Sequence, residues 1–355
     1  MNRSNLVIDV EAILDKVNSP ITDDCCIYRV PYDAREVNPG AYTPNFISIG
    51  PLHRFDQRLQ NMKMYKHIYF KQFVSRAKNK LEDLISAVKE EEPRLRRCYK
   101  ELLQMSSDEL VKVILEDACF IVELFYKRFH KERKSNDYKM FHPSIDIDLL
   151  LLENQVPFFI LEKLYDLVFA SQHRNLPSFL QLSIKYFSHH NGQNLEPNFT
   201  ICHFTDLLRT FYLPHQRPER KKYNCKHIPT ASAFKEAMGK FKMNENDCIL
   251  DLQFSRGCLK LPYIEVDDKT ETLFRNVLAF EQCHPTNYGL DGYMTDYVYF
   301  MDCFINTGKD VDVLIEKGIL FNMLGDSEAV ARLFNNLSKN ICFDFQSQFL
   351  ISLMS

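Results

Sequence analysis

Four acidic residues occupy positions from which a helix would turn them inward. Asp117 follows Leu110, Val113 and Ile114 by seven, four and three residues, so it shares their face. Glu281 stands in the same relation to Phe274, Val277 and Leu278. Asp302 shares a face with Val298 and Ile305, and Glu153 follows Leu149 and Leu150 by four and three. A buried carboxylate costs several kcal/mol unless it finds a counter-charge, hydrogen-bond donors or a proton.

Two kinds of chemistry meet that requirement. In the first the acids are structural, held in networks by Arg29, Arg275, helix N-termini and loop amides. In the second they form a metal site. Glu281 and His284 make Glu-x-x-His, the spacing by which di-metal bundles present ligands, and Asp117 and Glu153 would complete the set. Only one such pair occurs, as composition alone would produce, so the structural reading is preferred. The stretch "DLLLLENQVPFFILEKL" (148–164) poses the same question. Pro157 removes the helical bond to the carbonyl of Glu153, and Asn154 and Gln155 are expected to satisfy backbone groups freed at that break.

Other reactive side chains lack the company that chemistry needs. The chain has no phosphate-cradling glycine loop, no nucleophile elbow and no His-Glu-x-x-His. Its 11 cysteines include no C-x-x-C pair, and Cys225-Lys226-His227 and Cys283-His284 have no second half at ligand spacing. They read as thiols. Arg217, Arg220, Lys221 and Lys222 form a basic cluster within the loop 213–229. This is a solvated loop first, and an acidic or phosphate-bearing partner's contact second. With the loop 188–198 it makes the expected partner surface. "MKMYKHIYFKQFV" (62–74) sets Tyr65, Ile68, Tyr69 and Phe73 in phase, a core helix with lysines reaching out to water.

The elements that must position these residues are helices. Helical stripes run over 80–92, ended by Pro93, over 106–129 behind a capping box of Ser106 and Glu109, onward from Val156, and over 326–341 from a cap at Asp326. One β-hairpin is expected at 249–264, turning at Ser255-Arg256-Gly257, and "CIYRVP" and "FISIGP" read as short extended segments. The fold class is therefore mainly α. A single helical domain covers 25–342, preceded by an amphipathic helix within 1–24 and followed by a short apolar tail, 343–355. A net charge of −3 gives no basic field for nucleic acid, and no run of apolar residues spans a bilayer.

Several long stretches carry a resemblance. "CCIYRVPYDAREVNPGAYTPNFISIGPLHRF", "LEDACFIVELFYK", "DLLLLENQVPFFILEKL", "DLQFSRGCLKLPYIEVDDKTETLFRNVLAFEQCH" and "DVDVLIEKGILFNMLGD" resemble, in order, the signatures of the plant family called domain of unknown function 247. Glu153, Asn154, Gln155 and Pro157 match that family's hallmark. The resemblance implies a land-plant protein with a largely helical domain and no established catalytic residues. It implies relatives with a hydrophobic C-terminal anchor, some grass members being implicated in pollen self-incompatibility. This chain stops at "FDFQSQFLISLMS", before such an anchor. The expectation is thus a cytoplasmic or membrane-peripheral interaction or signalling module. It would have an unknown protein partner, no cofactor and no nucleic acid. The alternatives are a metal-assisted hydrolase or oxidase using Asp117, Glu153, Glu281 and His284, and a truncated paralogue without function.

Overall fold

In the computed structural model, one helix organises the N-terminal half. The structure describes residues 24–77, 81–131, 142–169, 176–196, 200–214, 228–284 and 292–341. In chain order the helices begin with α1 (Tyr32–Val37), α2 (Lys63–Arg76), α3 (Leu81–Glu90), α4 (Glu92–Cys98) and α5 (Ser107–Phe129). They continue with α6 (Pro143–Asp148), α7 (Phe158–Phe169), α8 (Phe179–Tyr186), α9 (Phe204–Tyr212) and α10 (Ala231–Glu236). Four strands follow: β1 (Lys240–Asn244), β2 (Gln253–Ser255), β3 (Cys258–Pro262) and β4 (Ile264–Val266). The chain closes with α11 (Thr270–Cys283), α12 (Tyr293–Phe304), α13 (Gly308–Glu316), β5 (Leu320–Asn322) and α14 (Ser327–Leu337).

α5 starts at the expected capping box, Ser106 with Glu109. Every residue from Val113 to Phe125 is buried, as befits a helix enclosed by others. α2, α3, α7 and α8 pack around it. Phe125 anchors an aromatic knot, with ring centroids 4.0 Å from Tyr186, 5.6 Å from Phe179 and 5.3 Å from Phe204. The C-terminal half builds on α11, which meets α9, α12 and α14, while α13 packs on α10 and α14. Buried apolar residues form one continuous cluster from Cys25 to Leu337.

The hairpin forms where expected, with β2 antiparallel to β3 and Phe254 opposite Leu259. Arg256 (φ 50°) and Gly257 (φ 72°) make its turn. The sequence reading missed β1, which pairs parallel with β3 and gives the order β1-β3-β2. It missed the two-stranded parallel sheet of β4 and β5 as well. Three further expectations change. Pro93 ends one helix but also opens α4, where its missing N–H is harmless. Leu81 and Ile85 of α3 are exposed, and Leu84, Ala87 and Val88 form its buried face. The helix expected from Val156 begins at Phe158, so residues 153–155 lie before it and not within it. Residues 1–23 of the N-terminal extension expected over 1–24, the whole tail 343–355, and Arg217, Arg220, Lys221, Lys222 and Cys225 lie outside the described residues.

Candidate functional site

The polar residues of the most apolar stretch hold down a segment without regular structure. Residues 25–53 cross the helical core with only α1, a short 3-10 turn at Pro39–Tyr42 and an isolated parallel bridge between Ile27 and Tyr99. Buried backbone outside helices and sheets must find side-chain partners. Asp148 accepts from three successive N–H groups, Asn45 (3.0 Å), Phe46 (2.7 Å) and Ile47 (2.7 Å). Asn154 Oδ1 accepts from Ile49 N (2.6 Å), and its Nδ2 donates to the carbonyls of Ile47 and Asp148. Asp117 accepts from Gly50 N (2.8 Å), and Glu153 from Val30 N (2.8 Å). Gln155 ties its own loop, donating to the carbonyls of Leu149 and Leu151 and accepting from Phe204 N. Four polar side chains, from the end of α6, the loop between α6 and α7, and α5, thus clasp six positions of the crossing segment between Val30 and Gly50.

Basic side chains complete the clasp. Lys66 of α2 pairs with Asp117, and both are buried. The lysine expected to reach water therefore points inward instead. Arg35 and His53 (3.1 Å) flank Glu153, with Arg29 at 3.5 Å. Burial pushes the Glu153 carboxyl up, but His53, Arg35 and the Val30 N–H outweigh it and hold it below the ordinary value of 4.5. At Asp117 the balance is reversed: burial wins over Lys66 and raises it. At Asp148 burial outweighs the three N–H groups and lifts the carboxyl from 3.8 to about 6.

The remaining candidates have partners of their own. Glu281 is bound by Arg209 of α9 (3.0 Å) and by Thr295 N and Oγ1 at the start of α12 (both 2.9 Å). The expected partner, Arg275, instead pairs with Glu271 one turn earlier (2.8 Å) and reaches the carbonyl of Asn336. The Nδ1 of His284 lies 2.9 Å from the Tyr28 hydroxyl, and burial lowers its pKa to about 4. Asp302 is half-buried rather than enclosed, and burial raises its pKa against a bond from Ser338. Asp117, Glu153, Glu281 and His284 are therefore not brought together. Among the described residues, no three His, Cys, Asp or Glu side chains form a group able to hold a metal ion.

Comparison with known proteins identifies the chain's relatives. The profile of the family described as "Plant protein of unknown function" (DUF247) matches residues 27–355. The chain belongs to this family. It is similar to the UPF0481 protein At3g47200 of Arabidopsis thaliana, at 30% identity over 92% of this chain and 75% of the relative. It is also similar to the putative UPF0481 protein At3g02645 of the same plant, at 21% identity over 89% of this chain and 78% of the relative. No solved structure matches it.

For this DUF247 chain, then, the residues of the Glu153-Asn154-Gln155 cluster are parts of a clasp. Residues that the sequence reading passed over share that work. Asp148 was overlooked because it opens an apolar run and its helix, α6, is only six residues long. Asn276 of α11 accepts from Leu152 N (2.8 Å) and donates to the Ala41 carbonyl (2.7 Å). Asp310 of α13 accepts from Ser232 N and Thr307 N (both 2.9 Å), which joins α10 to the cap of α13. A signal existed for Asp310: Thr307-x-x-Asp310 has capping-box spacing. None existed for Asn276, whose donor partner Leu152 and acceptor partner Ala41 lie 124 and 235 residues away.

Proposed function

We propose that this DUF247 chain is a non-catalytic module that binds another protein through one loop face. The observation that carries the reading is how the buried acids are used. Glu153, Asp117, Asp148 and Glu281 each accept hydrogen bonds from the chain's own backbone, and three of them also carry a cation. Groups so engaged hold shape, and shape is what a binding module presents. The loops expected to meet the partner begin side by side. Gln193 Nε2 donates to the carbonyls of Phe211 (2.8 Å) and Leu213 (3.1 Å), joining the loop after α8 to the point where the loop 213–229 begins. Arg217, Arg220, Lys221 and Lys222 lie on the second loop, so the partner's surface would be acidic.

The test is capture by the full chain from plant extract, compared with variants. One carries Gly/Ser in place of residues 188–196. Another carries glutamate at Arg217, Arg220, Lys221 and Lys222. A protein retained by the parent and lost by both variants, with unchanged melting curves, supports the reading. Retention unaffected by either variant removes it. Stoichiometric iron, manganese or zinc in gently purified protein would replace it with the metal-assisted alternative.

A further inference from the structure

The three-stranded sheet has one face packed and one face wet. Phe241 of β1 meets Phe234 of α10 and Phe304 of α12, with ring centroids 5.2 and 6.0 Å away, so the inner face is fixed to the helical body. The register sets the outer face. Lys240 lies beside Cys258, Lys242 beside Lys260, and Gln253 on the other side of Lys260. No acidic residue occupies a paired position of the sheet. Asp251, two residues before β2, is taken by the side-chain amides of Asn244 (3.0 Å), Asn246 (2.8 Å) and Gln253 (3.0 Å). Lys240 and Lys242 are exposed and Lys260 is half-buried. Among the described residues, none of the three side chains has an ion pair, a hydrogen bond or a ring contact.

Lysines on an edge strand ordinarily guard against pairing with a second copy. β1 is such an edge, because the strand order is β1-β3-β2. That guard accounts for Lys240 and Lys242. It does not account for Lys260, which sits on the central strand and repels Lys242 beside it. The edge itself is open. Lys240 N donates to the Gly257 carbonyl (3.0 Å). The alternation of a parallel ladder then turns the N–H and C=O groups of Lys242 and Asn244 toward β3, and those of Phe241 and Met243 outward. No strand covers that edge among the described residues. Met243 shares the inner face with Leu261, yet is 42% exposed at the rim.

We propose that β1 receives an extended segment of another protein in which acidic and apolar residues alternate. Its backbone pairs with Phe241 and Met243. Its carboxylates, about 7 Å apart at alternate positions, lie beside Lys240 and Lys242, and the apolar residues between them cover Met243. Lys260 adds a third positive charge to the same face. The lysines that repel a second β1 therefore admit an acidic strand. This surface includes no residue of the loops 188–196 and 213–229, so it is tested independently of the loop reading.

The full chain is titrated at low ionic strength with a fluorescein-labelled peptide of alternating glutamate and valine. The comparisons are a peptide of the same composition with its glutamates in one block, and phosphatidylserine vesicles. The edge variant is Lys240→Gln with Lys242→Gln, and the control is Lys112→Gln with Lys185→Gln, also exposed and elsewhere. The expected result is saturable binding of the alternating peptide, about fivefold or more weaker in the edge variant and unchanged in the control. The block peptide should bind more weakly. In the parent, bound peptide should slow hydrogen exchange at the amides of Phe241 and Met243, a readout that needs no variant. Absence of binding up to about 1 mM overturns the proposal, as does equal binding by the edge variant or of the block peptide. Binding without slowed exchange at those two amides overturns strand pairing, and protection confined to the loops 188–196 and 213–229 assigns the peptide to the loop face instead. Vesicle binding without peptide binding overturns it in favour of a membrane-facing patch.

Discussion

Glu153 and Asp148 serve the same segment, yet their carboxyls shift in opposite directions: burial raises both, and only at Glu153 do the partners outweigh it. Glu153 is fully enclosed with Arg35 and His53 beside it, so Glu153→Gln leaves the Arg35 guanidinium without its counter-charge and puts an amide where the His53 ring meets a carboxylate. A loss of at least about 2 kcal/mol is expected in a urea melt at pH 7. The folded pKa of Glu153 is depressed, so its contribution is present above the unfolded value of 4.5. It is lost as pH falls through the folded value, and the cost of Glu153→Gln should shrink in that acid range. Asp148 has the opposite sign. Its carboxyl, at about 6 when folded and 3.8 otherwise, takes up its proton earlier in the folded state. Between pH 7 and 5 the parent should therefore gain about 1 kcal/mol relative to Asp148→Asn. Melts of both proteins across that window measure the difference, and a parent that loses ground instead would mean that the three N–H groups outweigh burial.

Among the elements, the clasped segment depends on its glycine as a helix depends on its cap. Gly50 has φ 71°, and a Cβ there would collide with the Gln155 carbonyl oxygen, which is backbone and already accepts from the Tyr99 hydroxyl. Gly257, in the hairpin turn, has nearly the same φ, 72°, but open space around it. Backbone strain is thus common to both positions, and the collision belongs to one. Gly257→Ala should cost about 1 kcal/mol, and Gly50→Ala clearly more, on the order of 3 kcal/mol. Equal costs in a denaturant melt would show that the crossing segment gives way to the methyl group.

Across the whole molecule, the clasp joins the N-terminal segment to the helical body by hydrogen bonds rather than by a sheet or bundle. Backbone amides without regular structure ordinarily exchange quickly. Here the N–H groups of Val30, Phe46, Ile47, Ile49 and Gly50 are donated to Glu153, Asp148, Asn154 and Asp117. Hydrogen exchange should find them protected nearly as well as the amides of α5, opening with the global unfolding. In Glu153→Gln, protection at Val30 should fall first, ahead of α5. Rapid exchange of all five in the parent would reduce the clasp to a surface attachment.

The helical class, the capping box at Ser106, the hairpin and the inward direction of Asp117 and Glu281 were all legible in the residues, whereas Glu153 is buried from a loop and not from the helical face that its spacing suggested. Each depends on a local period of 3.6 or 2 or on a cap within four positions. The family was legible as well, because its long motifs stand in order along the chain. The partners of those acids were not. Lys66 lies 51 residues from Asp117, Arg209 72 from Glu281, and Gly50 67 from Asp117. No sequence period links such positions. They meet only because packing α2 and α11 against their neighbours removes water from the acids, and desolvated carboxylates bind the nearest donors that the folded chain presents. Periodicity assigns each side chain to a face, and tertiary structure decides which faces meet.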